Sequence, residues 1–135
     1  MRITEIKLNN YRAFYGEHTI SLDKDCKNLM VYGENGSGKS SLFTALQNFF
    51  LSSVQRVNVE ENIFVLSSKK NTASIQVTIK ESAASTKTTN FDLNIIDKQI
   101  ISADKTIIAD ANKIKGFFDY RSLLRTHIEH ANDVN

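Results

Sequence analysis

An α/β fold is the class this sequence predicts, and three observations predict it. A short continuous apolar run, Leu29 to Tyr32, ends at Gly33. From Ser40 the period changes, and Leu42, Ala45, Leu46 and Phe49 recur at spacings of three and four. Farther along, Ala73, Ile75, Val77 and Ile79 alternate with polar residues, and Phe91, Leu93 and Ile95 repeat the pattern. The first pattern suits a strand buried on both faces, the second an amphipathic helix, and the third half-buried strands.

Composition narrows the function classes. The 135 residues amount to one small domain, long enough to bury a core without staples. Apolar residues make up 41% and charged residues 24%, which excludes disordered and collagen-like chains. Lys plus Arg (17) nearly balance Asp plus Glu (15), so bulk charge does not point to nucleic acid. The lone Cys26 cannot form an internal disulfide, which fits a reducing compartment. Arg2, Glu5 and Lys7 interrupt the N-terminus, so it is no secretory signal. No apolar run nears the ~18 residues of a membrane span. The expected location is cytoplasmic, without a membrane partner.

In chain order, residues 2–9 read as a strand with Ile6 and Leu8 on one face. Residues 17–22 read as a second strand, joined to the first through Asn10–Tyr15. Residues 29–32 are expected as a third strand beside these two in a mixed sheet. Residues 39–51 are the helix. Residues 52–71 are polar and read as a loop, with room for a short element at Ile63–Leu66. Residues 72–96 form an antiparallel hairpin around the polar ESAASTKT tip. Residues 104–114 and 119–130 read as helices flanking Gly116, with Asp104 and Asp119 as N-caps.

The chemistry sits in Gly33-Glu34-Asn35-Gly36-Ser37-Gly38-Lys39-Ser40, which fits the phosphate-binding P-loop G-x-x-x-x-G-K-[ST]. Gly36 and Gly38 can adopt positive φ and bring the backbone close to a phosphate. Loop N–H groups form an anion nest, and the following helix aims its dipole at the same spot. Lys39 adds a point charge for the β- and γ-phosphates, and the Ser40 hydroxyl can ligand Mg²⁺. The predicted strand before and helix after give the motif its required context.

The loop is similar to the G-x-N-G-x-G-K-S form of ABC-type ATPases. The segment ahead of it, with Asn10-Tyr11-Arg12-Ala13-Phe14 between two strands, resembles the opening of the RecF, SMC and Rad50 branch. FFDYRSLL, residues 117–124, also resembles a segment of such ATPases in bacterial DNA repair and phage defence. The resemblance implies an ATPase-head N-terminal lobe over 1–135, the C-terminal lobe with its Walker B and signature lying outside. It implies ATP or ADP with Mg²⁺, and phosphates wrapped by Asn35, Gly36, Ser37, Gly38, Lys39 and Ser40 after Gly33. It further implies Ser41 at the α-phosphate and Arg12 near the phosphates or adenosine. Implied partners are the C-terminal lobe, a second head in an ATP-dependent homodimer, and DNA as a candidate.

Several parts of such a site are missing from the sequence. Asp97 follows an apolar run, but Lys98 stands where a glutamate is needed, and Asp110 is no better. No serine-glycine signature follows residue 41, and residues 119–122 lack the expected glutamine. No catalytic residue is therefore assigned, and the chain alone is expected to be inactive although its parent is an ATPase. His127 and His130 lack a third metal ligand, and Lys69, Lys70, Lys80 and Lys87 read as a solvated face. Competing readings are a non-hydrolysing nucleotide sensor, a transporter-type nucleotide-binding domain and a small-substrate P-loop kinase. The Asn-Tyr-Arg-x-Phe opening disfavours the transporter, and two strands ahead of the P-loop disfavour the kinase.

Overall fold

The computed structural model describes residues 1–22, 28–34, 36, 38–82, 84–102 and 104–114. Four strands form one sheet: β1 (Arg2–Tyr11), β2 (Phe14–Ser21), β3 (Ser74–Lys80) and β4 (Thr88–Asn94). Their spatial order is β2-β1-β3-β4, and every neighbouring pair is antiparallel. Helix α1 spans Lys39–Leu51, a 3₁₀ turn spans Ser67–Lys69, and helix α2 spans Lys105–Ile114.

Period-two patterning builds the sheet's inner face. Val77 pairs with Ile6 on one side and Phe91 on the other, and Ile75 lies between Leu8 and Leu93. The register between β1 and β3 slips by one residue between Ile3 and Glu5. That bulge lets Ile3 and Ile6, three apart, both pack against the core, which a regular strand would forbid. Helix α1 covers this face with Leu42, Ala45, Phe49 and Phe50, all in the same buried cluster. The Phe49 and Phe91 rings meet edge to face, with centroids 6.4 Å apart. Two serine hydroxyls finish α1: Ser52 Oγ donates to Phe49 O (2.6 Å) and Ser53 Oγ to Phe50 O (2.7 Å). They satisfy carbonyls that a helix end otherwise leaves bare. Helix α2 packs on α1, with Ile108 fully buried.

The expected helices at 39–51 and 104–114 and the hairpin within 72–96 agree with these elements. Three expectations do not. The sheet is antiparallel throughout, not mixed. Residues 29–32 form no strand: Leu29 is 42% exposed, Met30 86%, Val31 46% and Tyr32 90%. A doubly buried strand needs a neighbour on each side, and no described residue pairs with this segment. The expected element at Ile63–Leu66 is a turn, with the 3₁₀ segment just after it. The helix at 119–130, the FFDYRSLL segment, Cys26, His127 and His130 lie outside the described residues.

Tyr11, at the end of β1, is fully buried, and among the described residues its hydroxyl meets no partner in hydrogen-bond geometry. Burial pushes the phenol above its ordinary value of about 10, while the nearby Arg12 charge offsets part of the rise. The folded state therefore holds the phenolic proton more tightly than the unfolded chain does. That stabilisation is complete below about pH 10 and is lost as pH climbs through the folded value. Tyr11→Phe should leave stability at pH 7 unchanged or raise it by up to ~1 kcal/mol, since it deletes an unsatisfied buried group. It should also flatten the decline above pH 10. Urea denaturation at pH 7 and pH 10.5 measures both, and a clear loss at pH 7 would mean that the hydroxyl is bonded.

Candidate nucleotide site

Helix α1 begins where the glycine-rich loop ends. Gly38 is its N-cap, held at φ +97° and ψ 0°, and Gly36 has φ +87°. Leu42 N–H donates to Gly38 O at 3.0 Å, closing the first helical turn. The first turn carries no acidic side chain, so no carboxylate of that turn neutralises the positive end of the helix. The Lys39 ammonium donates to the Gly33 carbonyl and so ties the start of the loop to the start of the helix.

These residues enclose a cavity of about 120 Å³ lined by Ala13, Gly36, Gly38, Lys39, Ser40 and Ser41. Backbone amides, one lysine and two serines contribute to this lining, and none of the described lining residues carries a carboxylate. Such a lining attracts an anion. A larger, mainly apolar cleft of about 720 Å³ lies alongside, between Leu29 and Val31 on one wall and Leu42, Phe43 and Leu46 of α1 on the other. Lys39, Ser40, Thr44 and Gln47 also line that cleft, and the smaller cavity is the candidate anion site because the glycine-rich loop and the first turn of α1 meet there.

One wall comes from a distant part of the chain. The turn between β1 and β2 supplies Ala13, whose N–H points at Ser41 Oγ (3.4 Å). The tip of the Phe14 ring lies so close to Gly38 that a Cβ there would stand 3.1 Å from Phe14 Cζ. Phe14 is itself braced edge to face by His18, with centroids 5.3 Å apart. Behind the turn, Arg12 N–H donates to Glu60 O (3.0 Å), and Arg12 Nε lies 3.6 Å from a Glu60 carboxylate oxygen.

The structure therefore brings Gly33, Gly36, Gly38, Lys39, Ser40 and Ser41 together, while Asn35 and Ser37 lie outside the described residues. Ser40 is exposed on the first turn of α1. Ser41 is buried and faces the β1–β2 turn. Arg12 is one residue from the cavity wall, and it arrives there through the turn rather than beside a neighbouring P-loop strand. Asp97 sits in the turn after β4, where its carboxylate accepts from Asn94 Nδ2 (2.8 Å). Asp110 is exposed on α2 and pairs with Lys113 at 3.5 Å. Sequence reasoning missed Ala13, Phe14 as the Gly38 brace, and the Glu60–Asn62 segment, because no local motif marks them.

A protein-family model described as an AAA ATPase domain matches residues 1–133. The chain belongs to that family. No curated protein matches it. Membership in the AAA ATPase domain family implies ATP, with Mg²⁺ general to such domains. The lining of the small cavity fits that ligand: amide N–H groups and Lys39 suit phosphate oxygens, and Ser40 offers a hydroxyl oxygen suited to a hard cation. Among the described residues of this AAA ATPase domain, no helix is long and apolar enough to cross a membrane.

Gly38 carries two separable constraints. An alanine at φ +97° costs about 1–2 kcal/mol in backbone strain, and its methyl would also press on Phe14. Gly38→Ala should destabilise the domain by more than the strain alone. Adding Phe14→Ala should recover the contact part when each variant is compared with its own parent. Equal costs of Gly38→Ala in the two backgrounds, measured by denaturant unfolding, would show that the Phe14 contact is slack.

Proposed function

We propose that this AAA ATPase domain is the ATP-binding N-terminal lobe of a RecF-, SMC- and Rad50-like ATPase head acting in DNA metabolism, repair or defence. One observation carries the reading. The Asn10-Tyr11-Arg12-Ala13-Phe14 turn, on which that resemblance rests, packs directly on Gly38 and Ser41. Two motifs more than twenty residues apart thus build one cavity.

In this reading the phosphates lie in the small cavity and the loop amides from Gly33 to Ser41, with Asn35 and Ser37 among them, wrap the chain of phosphates. Lys39 exchanges its bond to Gly33 O for phosphate oxygens. Ser40 holds Mg²⁺, Ser41 faces the α-phosphate, and Arg12 stands at the rim. Bound Mg²⁺ neutralises charge on the β- and γ-phosphates. Hydrolysis further requires a carboxylate to position water and a group to cap the γ-phosphate. The bonds made by Asp97 and Asp110 give neither residue that task. The C-terminal lobe and ATP-driven pairing of two heads supply those groups in this proposal, with DNA as the candidate substrate. Exposed Met30 and Tyr32 support such a partner, since an apolar segment left open to solvent is a surface to be covered.

Calorimetry with Mg·ATP and Mg·ADP tests the site. Lys39→Ala should weaken binding by about 1.5 kcal/mol or more, the scale of a charged hydrogen bond. Equal affinity in wild type and variant would reject the assignment. The 135-residue chain should show negligible ATP turnover and should not dimerise with ATP, and the C-terminal lobe should restore both properties. Turnover by the chain alone that disappears in Lys39→Ala would locate the catalytic groups inside it, with Asp97 and Asp110 the first to mutate.

A further inference from the structure

The turn that walls the cavity is not self-supporting. Asn10 and Arg12 both have φ +47°, in the left-handed region. Asparagine tolerates that region, but arginine pays for it, and such a conformation persists only where the surroundings over-determine it. Asn10 is held partly within the turn, where its Oδ1 accepts from Gly16 N–H (2.8 Å), and by Thr72 Oγ1, to which its Nδ2 donates (2.9 Å); Arg12 leans on one short segment fifty positions away. Asn62 N–H donates to Asn10 O (2.8 Å), Arg12 N–H donates to Glu60 O (3.0 Å), and Tyr11 forms an isolated bridge with Glu61. Asn62 Nδ2 then donates to Arg12 O at 2.6 Å.

Asn62 is a buried polar residue, 6% exposed, with its groups used on both sides. Its Oδ1 accepts from Phe64 N–H (2.8 Å) and its carbonyl from Val65 N–H (3.2 Å), so its own loop holds the side chain rigid. The segment is anchored in turn at its other end. The Glu61 carboxylate accepts from the N–H groups of Asn71 (3.2 Å), Thr72 (2.8 Å) and Ala73 (3.2 Å), which lead into β3. The central strands of the sheet thus hold Glu61, the segment holds Asn62, and Asn62 grips the carbonyl of Arg12. The next residue, Ala13, is the cavity wall.

We propose that Asn62 is a positioning residue for the nucleotide site. Its side-chain amide fixes the left-handed turn that sets the origin of the Arg12 side chain. The inference rests on reading the small cavity as the ATP site, and it adds a residue that no motif marks. A role in folding alone would lower stability without touching affinity in an Arg12-dependent way. A positioning role predicts coupling to Arg12.

Calorimetric titration of the 135-residue chain with Mg·ATP decides it, using wild type, Lys39→Ala, Asn62→Ala, Asn62→Asp, Arg12→Ala and Asn62→Ala/Arg12→Ala. Asn62→Asp keeps an Oδ acceptor for Phe64 but replaces the donor to Arg12 O with a negatively charged carboxylate oxygen that repels it, so Asn62→Ala carries the quantitative comparison. Each Asn62 variant should weaken binding at least ~5-fold, about 1 kcal/mol. In the Arg12→Ala background, Asn62→Ala should add less than ~2-fold, the non-additivity of residues acting through one another. Wild-type affinity in a cooperatively melting Asn62 variant, or the same loss with and without Arg12, would overturn the proposal. Hydrogen exchange on the wild-type chain gives a readout that needs no variant to fold. Mg·ATP should slow exchange at the Arg12 and Asn62 amides together with those of the P-loop, and P-loop protection without them would overturn the proposal. If Lys39→Ala binds as wild type does, the ATP reading itself fails and the positioning role falls with it. If Lys39→Ala abolishes binding and Asn62→Ala leaves it intact, the ATP reading stands and only the positioning role fails.

Discussion

Burial of α1 on the inner face of the sheet fixes where its first turn points, and the candidate site hangs from that turn. Phe49 and Ala45 are fully buried in the core cluster with Ile6, Val77 and Phe91. A residue such as Phe49 contributes on the order of 3–5 kcal/mol at a site of this kind, which far exceeds the few tenths that helix propensity offers per residue. Packing, not propensity, therefore holds the helix, and the helix carries the free N–H groups of its N-terminus to one place. Gly38 is the hinge of this arrangement. Its left-handed φ turns the chain from loop into helix, and its missing Cβ lets Phe14 close in.

The second support is a chain of hydrogen bonds that runs the other way, from the start of β3 to the cavity wall. Glu61 fastens residues 71–73, the Glu60–Asn62 segment grips Asn10 and Arg12, and Ala13 touches Ser41. The Arg12–Glu60 ion pair within this chain is exposed, and solvent screening leaves it little weight. The backbone and amide bonds do most of the holding, since Asn62 is buried and an unmade bond there would cost its full desolvation. The cavity is thus bounded by two rigid parts of the fold rather than by a loop alone, which suits a site that must meet phosphate oxygens at fixed positions.

Exposed apolar surface marks the edges of what this unit satisfies by itself. Met30 and Tyr32 face solvent almost fully, and Leu29 and Val31 line an open apolar cleft against α1. The four-stranded sheet forms without them, with β2 and β4 as its edge strands among the described residues. The P-loop therefore begins from a segment whose partners are not among the described residues.

The local patterns determined a good deal: the helix at 39–51 from its three-four spacing, the hairpin from alternation on Ile75, Val77, Phe91 and Leu93, and the phosphate loop from Gly36, Gly38, Lys39 and Ser40. Each depends on residues close in sequence, so each is written where it acts. The run at 29–32 shows the limit of such patterns. Four apolar residues specify a strand fit for burial, but not the neighbours that would bury it. Only the tertiary structure set the sheet order β2-β1-β3-β4, the antiparallel pairing of β1 with β3, and the seating of Phe14 on Gly38. The same holds for the grip of Asn62 on Arg12. These contacts join residues twenty to seventy positions apart, and they form because one shared core aligns the elements. No periodicity carries that alignment, since it belongs to the packing of elements and not to any one of them.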